Sequence, residues 1–463
     1  MHRHGRERLQ LSDALDARAD APGRPASSDA REVWALWLLW GVSTLAYAVA
    51  TAWKWGDPDW KRGPFGLAQL ARLGTPGVLA AVVVVVTCVL ARGPIAVGLR
   101  ALGAWVAVAR TRRLALGVVL ALGALTLPTN NPGGDSGQIL REWREFGPGN
   151  CGSTSHDEVL EKLVHQWVYC GTHASLGWSL ERSFQVSDAV ACAWAVALLV
   201  GLLLRIAPRA PMLALAVILT GGWSQIYLGD IEVYTLTSVV ILAFLDASSR
   251  YLAREVGLWV PTLTLTLAMG FHLQAGFLLP VLVALVAVEV VRGHAWRAVG
   301  SALTLIGALA GALLALHLHN LPVSELFKAH AFGAGRPFVE SLNPLDLAYV
   351  LGMSWLLVLL FPGAPLLALL AWRRRLTLDA DGWLLVGATA CMAFFFWVWR
   401  AGFGPIDDWD LFANAMIPSS LLLARTVSET DWSPAARRPL AALLALYAVH
   451  TAAWWIANAQ PLP

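Results

Sequence analysis

Long apolar runs recur along the whole chain, separated by short polar connections. A run of roughly 20 apolar residues crosses a hydrocarbon core about 30 Å thick as a helix, and shorter runs serve when their ends snorkel. Such runs fall near 33–53, 77–91, 114–128, 188–204, 212–228, 233–249 and 257–271. Further runs follow near 273–291, 298–316, 347–372, 382–399, 412–428 and 439–457. The pattern predicts an all-α polytopic membrane protein with about 13 transmembrane helices. The 347–372 run holds Pro362-Gly363 and reads as one kinked span, with a helical hairpin as the alternative. Segment 92–113 is weakly apolar around Arg100 and reads as a helix lying in the interface.

Composition agrees with the pattern. Apolar residues make up 57% of the 463 positions and charged residues 14%, against about 25% charged in an average soluble domain. That is too little charge to cover a water-soluble globule of this length. The net charge of +3 leaves no footprint for nucleic acid, which is not expected as a partner.

Charge position sets the orientation. With the amino terminus in the cytoplasm, 23 of the 34 Lys and Arg residues fall in cytoplasmic segments, as the positive-inside bias requires. An odd number of spans then leaves the carboxy terminus outside. Residues 1–31, rich in Arg and Ala, read as a disordered cytoplasmic tail. Residues 32–463 form the membrane domain, with outer loops at 129–187, 317–346 and 400–411. No repeat or inverted duplication stands out, which lowers the expectation of a transporter.

Polar features gather on the outer side. Asp135 sits in GGDSG, where glycines admit a substrate close to the backbone; a helix-capping role is the alternative. A helix over 157–169 has apolar residues at helical spacing, as for a helix lying on the membrane surface. Its Glu158, Glu161 and His165 share one face, which suits a metal or proton relay, or simply solvent. The short connection QIYLGDIEVYTL offers Asp230, Glu232 and Tyr234, with Glu232 and Tyr234 favoured for a site. His272 and Gln274 join two spans on the same side, where the imidazole forms a hydrogen bond either to ligand or to a helix-end carbonyl. His317 and His319 make a weak metal pair, and Lys328, His330 and Arg336 are cations suited to phosphate. Finally, Asp407, Asp408 and Asp410 crowd beside Arg400 and Trp409, with Asp410 expected to point inward. The middles of the spans read as Leu, Ala, Val and Trp, and the cytoplasmic connections as Arg clusters with little else.

These features resemble the GT-C superfamily of integral-membrane glycosyltransferases, including the bacterial relatives of protein O-mannosyltransferases. The resemblance spans roughly residues 114–428. It rests on Asp135 of PGGDSGQ with its following surface helix, on the Glu232-x-Tyr234 turn and on the late acidic turn with Asp408 and Asp410. Two spans here precede the helix that leads to the acidic loop, whereas the superfamily usually places that acid after the first span. The resemblance implies transfer of a sugar from a polyprenyl-phosphate donor to an extracytoplasmic glycan, lipid or protein, at a bacterial cytoplasmic (inner) membrane. Asp135 would act as general base, with Glu232 and Asp410 as further catalytic carboxylates. Tyr234, His272, Lys328, Arg336, Asp408 and Trp409 would bind substrate, the cations among them holding the leaving phosphate. A divalent cation, Mg or Mn, held by Asp135 and a second acid would serve the same end. The competing readings are a polymerase or ligase of cell-surface glycans and a transporter of lipid or solute.

Five cysteines complete the reading. Cys88, Cys192 and Cys391 lie in apolar spans and are expected to pack as thiols. Cys151 and Cys170 bracket the surface helix outside the cytoplasm and are expected to be bridged.

Overall fold

A computed structural model describes residues 26–54, 74–125, 159–227, 234–318, 347–399 and 409–458. Among these residues every regular element is helical. In chain order they are α1 (Ala26–Lys54), α2 (Gly74–Leu90), α3 (Arg92–Val108), α4 (Arg110–Leu125), α5 (Val159–Leu176) and α6 (Leu180–Ile206). Then come α7 (Pro211–Leu219), α8 (Thr235–Leu252), α9 (Trp259–Phe271), α10 (Leu279–Val291) and α11 (Ala295–Leu318). The chain continues through α12 (Leu347–Leu360), α13 (Ala364–Trp372), α14 (Ala380–Val398), α15 (Trp409–Ala413), α16 (Met416–Glu429) and α17 (Arg437–Asn458). Each expected apolar run holds at least part of one of these helices, and the 347–372 run holds two. Five described helices are long and apolar enough to cross a membrane, or seven if each of two bent pairs counts as one span. With Trp34, Leu38, Val42 and Leu45 exposed along one side of α1, this is a multi-pass membrane protein.

The breaks have local causes. Between Tyr349–Leu360 and Ala364–Trp372 the chain turns by 90°, more than the kink expected there. Pro362 lacks an N–H and its ring blocks the preceding turn, so the ladder stops at that point. The 75° bend between α2 and α3 takes 92–108 out of line with the preceding span, as the weakly apolar pattern around Arg100 suggested. The 212–228 run is also interrupted: α7 ends at Leu219 and a 3-10 turn, Gly222–Tyr227, follows. The first helix begins at Ala26, inside the segment 1–31 expected to be a tail.

The core centres on α6, which packs along α4, α5 and α8. Its seam with α4 is lined by small residues, Gly117, Ala121 and Ala124 facing the Ala189–Ala193 stretch. Small residues let helix backbones approach closely in lipid, where dispersion contacts rather than solvent exclusion drive association. A Cβ on Gly117 would lie 2.3 Å from the carbonyl oxygen of Ala193.

Two expectations about polar residues are corrected. The interior is not purely apolar: in α17 His450 is buried beside the ring of Tyr47, with centroids 5.2 Å apart. Next to it the Thr451 hydroxyl donates to the Thr220 carbonyl at 2.6 Å, and Gln225 donates to the Thr451 carbonyl at 3.1 Å. A short polar residue that satisfies a broken helix end is tolerated in the membrane. Nor are the basic connections mere Arg clusters. Arg375 grips Glu32 with two bonds of 3.0 and 2.6 Å, Arg205 pairs with Asp246, and Arg209 reaches Asp431 at 3.0 Å. Each guanidinium there has a carboxylate brought from a segment distant in sequence, which local spacing does not display.

Candidate functional site

The site grows from the amino end of α8. Tyr234 precedes its first turn and supplies no side-chain cap, so the exposed N–H groups of that turn need acceptors from elsewhere. Glu161 of α5 provides them. One carboxylate oxygen accepts from the Leu236 N–H and the other from the Thr237 N–H, each at 2.7 Å. The Thr237 hydroxyl adds a third bond, also of 2.7 Å. A second carboxylate, Asp188 of α6, accepts from the Thr235 hydroxyl at 3.1 Å. Both acids are fully buried, and the positive end of the α8 dipole favours their charge.

These contacts correct the reading of the 157–169 helix. Glu161 and His165 were expected on a solvated face, with a metal site or proton relay as the alternative; they are 0% and 1% exposed. His165 stacks on Phe184 of α6 with centroids 4.5 Å apart, and its Nε2 lies 3.6 Å from Glu161. The outward residue is Trp167. The helix is therefore docked by its polar face against the bundle, because a helix amino terminus waits there for a carboxylate.

Three connections converge beside this cap. The Tyr234 ring lies 5.2 Å from the His272 ring, centroid to centroid, and both side chains are buried. His272 has extended backbone at the end of α9, and its Nδ1 accepts from the Gln274 N–H at 3.0 Å. That bond assigns the proton of the neutral ring to Nε2, the nitrogen able to donate to an anionic ligand. From the third connection, Asn414 donates to the Tyr234 carbonyl at 3.5 Å. Asp410, one turn earlier in α15, is 1% exposed, inward as expected. The buried Phe412 anchors α15 against Phe395 and Phe396 of α14, at 5.7 and 5.4 Å between centroids. Trp409 meets Trp454 edge-on at 4.8 Å and is half-buried. Tyr227 completes the cluster through a hydroxyl contact with Ser238.

Of the residues expected to form a site, Tyr234 and His272 touch, and the segment holding Trp409 and Asp410 reaches the same place. Asp135, Glu158, Asp230, Glu232, His319, Lys328, His330, Arg336, Arg400, Asp407 and Asp408 lie outside the described residues, as does the side chain of His317. So do most of the 129–187, 317–346 and 400–411 loops. Asp188 and Asn414 did not stand out in the sequence. An acid at the head of an apolar run was a usable sign for Asp188; nothing local marks Asn414.

Among the described residues no group of three or more His, Cys, Asp or Glu side chains is placed to hold a metal ion. Glu161 does not fit a cation role, since both of its oxygens already serve the α8 terminus. The same bonds make it a fixed electrostatic element rather than a base. What the cluster offers chemically is a buried, water-poor platform: an imidazole with a defined donor, a phenol and inward carboxylates. No family model matches this chain, and no curated protein or solved structure matches it either.

Proposed function

We propose that this multi-pass membrane protein is a GT-C-type glycosyltransferase, moving a sugar from a polyprenyl-phosphate donor to an extracytoplasmic glycan, lipid or protein. The observation that supports the reading is the convergence of Tyr234, His272 and Asn414 at the amino end of α8. Three connections far apart in sequence bring polar groups together there. The proposed topology has about 13 spans with the amino terminus in the cytoplasm, the orientation that the Lys and Arg distribution favours. The convergent end then faces outward from a bacterial cytoplasmic membrane.

In this mechanism Asp135 takes the proton of the acceptor hydroxyl as the sugar carbon is attacked. The donor phosphate leaves with its charge held by Lys328, Arg336 and the Nε2–H of His272. Glu232 and Asp410 hold charge around the sugar, while Tyr234, Asp408 and Trp409 shape its pocket. A divalent cation bound by Asp135 and a second acid would supply further neutralisation of the phosphate.

The test is transfer of a radiolabelled sugar from its polyprenyl phosphate, using purified protein and a membrane-derived acceptor fraction. Wild type should release free polyprenyl phosphate and label the acceptor. Asp135→Asn should abolish transfer with expression and membrane insertion intact, and Glu232→Gln and Asp410→Asn should weaken it. Full activity in Asp135→Asn removes that residue from the role of base. A donor carried across the membrane intact, or lengthened rather than consumed, would point to a transporter or a polymerase and overturn the reading.

A further inference from the structure

At the opposite end of the bundle, α10 and α11 are joined by a connection of three residues, Arg292, Gly293 and His294. Gly293 holds the left-handed conformation, with φ of 83°, which glycine adopts without steric cost. Its N–H bonds the Val290 carbonyl at 2.9 Å, and the His294 N–H bonds the Glu289 carbonyl at 3.1 Å. This pair of bonds closes the helix end and reverses the chain sharply. The reversal folds three basic side chains around one buried acid.

Glu289 accepts from the Tyr251 hydroxyl at 2.5 Å and from Arg297 at 3.3 Å. His294 Nδ1 lies 3.4 Å away and Arg292 Nη1 3.9 Å. Arg292 also lies over the Tyr251 ring and Arg297 over the Trp296 ring, at 5.5 and 5.2 Å. Two guanidiniums thus share a single carboxylate, which leaves the group net positive. Arg297 spends one of its five N–H donors on that acid, Arg292 pairs with it by charge alone, and both remain partly exposed.

Among the described residues the surroundings are apolar and exposed. Val291 and Trp296 are 87% and 70% exposed, and Val299, Leu303 and Ile306 continue an exposed stripe down α11. A cationic head beside a continuous apolar stripe matches the two parts of a lipid. We propose that the α10–α11 hairpin is a binding site for an anionic phospholipid, its phosphate held by Arg292 and Arg297 and its acyl chain lying along α11. Charge complementarity selects the anionic headgroup, since a zwitterionic one would bring its own cation into a group already positive. Glu289 acts as the fixed counter-charge that holds the two arginines side by side. The site is separate from the sugar-transfer end and does not rest on that activity.

The test uses the full chain, purified and delipidated in a neutral detergent, titrated with phosphatidylglycerol or phosphatidylcholine and read by native mass spectrometry. Wild type should retain phosphatidylglycerol in preference to phosphatidylcholine. The variant R292Q/R297Q should lose affinity by roughly thirtyfold, from about fivefold per arginine near a charged lipid surface. The control R100Q/R438Q removes the same charge from exposed arginines elsewhere and should keep the preference. If R292Q/R297Q does not purify, R297Q alone should show a loss of roughly fivefold. Equal binding of the two lipids by wild type, or equal losses in both double variants, would overturn the proposal.

Discussion

The carboxylate of Glu161 receives both the backbone N–H and the hydroxyl of Thr237, each at 2.7 Å, although the two residues lie on different helices. Helix α8 has no capping side chain of its own, so a neighbouring helix completes it. This relationship ties α5 to the first turn of α8, which Tyr234 precedes.

Removing the cap should loosen both. Glu161→Ala leaves two buried N–H groups and a hydroxyl without their acceptor and should cost about 1–3 kcal/mol. Glu161→Gln retains one acceptor oxygen and should cost less. Thermal unfolding in detergent measures the order; an Ala variant as stable as wild type would show that the contact contributes nothing.

At the α4–α6 seam, a single methyl group should be felt. Gly117→Ala places a Cβ 2.3 Å from the Ala193 carbonyl oxygen, and overpacking of this kind costs about 1–3 kcal/mol. Gly98→Ala, where nothing lies within 4 Å, should leave the melting temperature unchanged or slightly raised. Equal behaviour of the two variants would contradict the close approach.

Helices α8 and α13 end with Arg254 and Arg374 in the left-handed conformation, at φ of 63° and 54°. A Cβ there costs about 1–2 kcal/mol, which glycine avoids at the expense of a more mobile unfolded chain. Arg374→Gly should therefore raise stability by about 0.5 kcal/mol, while Arg373→Gly, just before it, should lower it. Paired melts of the two variants check the sign.

Asp379 begins α14, accepting from the Gly382 N–H at 2.9 Å and from Arg425 at 2.6 Å. Burial pushes its carboxyl up, but Arg425 and the N–H groups of Gly382 and Asp381 outweigh it and hold the group below its usual range. A depressed folded value contributes stability above the unfolded carboxyl range, near about pH 4, and the contribution disappears as pH falls through the folded value. Melting temperature should drop on acidification below about pH 4. Asp379→Asn should drop less over the same interval, and identical profiles would refute the linkage.

Cys170 of α5 is disulfide-bonded, whereas Cys88, Cys192 and Cys391 carry free thiols. The expected partner is Cys151, outside the described residues. Denatured, unreduced protein should take three equivalents of a thiol reagent and five after reduction, the totals set by the five cysteines of the chain. Labelling of Cys170 without reductant would rule out the bridge. Closing a loop of that length is worth about 3 kcal/mol in the chain-entropy account, so Cys170→Ser should also lower the melting temperature.

Apolar runs, with the amphipathic spacing of 157–169 and 92–113, determined where most of the described helices lie. A long apolar run must satisfy its backbone within itself, so each run holds helix among the described residues, broken within 212–228 and 347–372. The turns at Pro362-Gly363 and at Gly293 were written just as locally, in a missing N–H and a missing Cβ. The inward placement of Asp410 followed from its position against the next apolar helix. What the tertiary structure decided is who meets whom. Glu161 and His165 had the same helical spacing whether they faced water or another helix. Only the uncapped terminus of α8, 75 residues away, made burial favourable. The same holds for Asp188 with Thr235, for Tyr234 with His272 and Asn414, and for Arg375 with Glu32. Periodicity records which face of a helix a residue occupies. The partner that neutralises a buried charge is set by helix packing, and pairs so far apart leave no trace in local sequence.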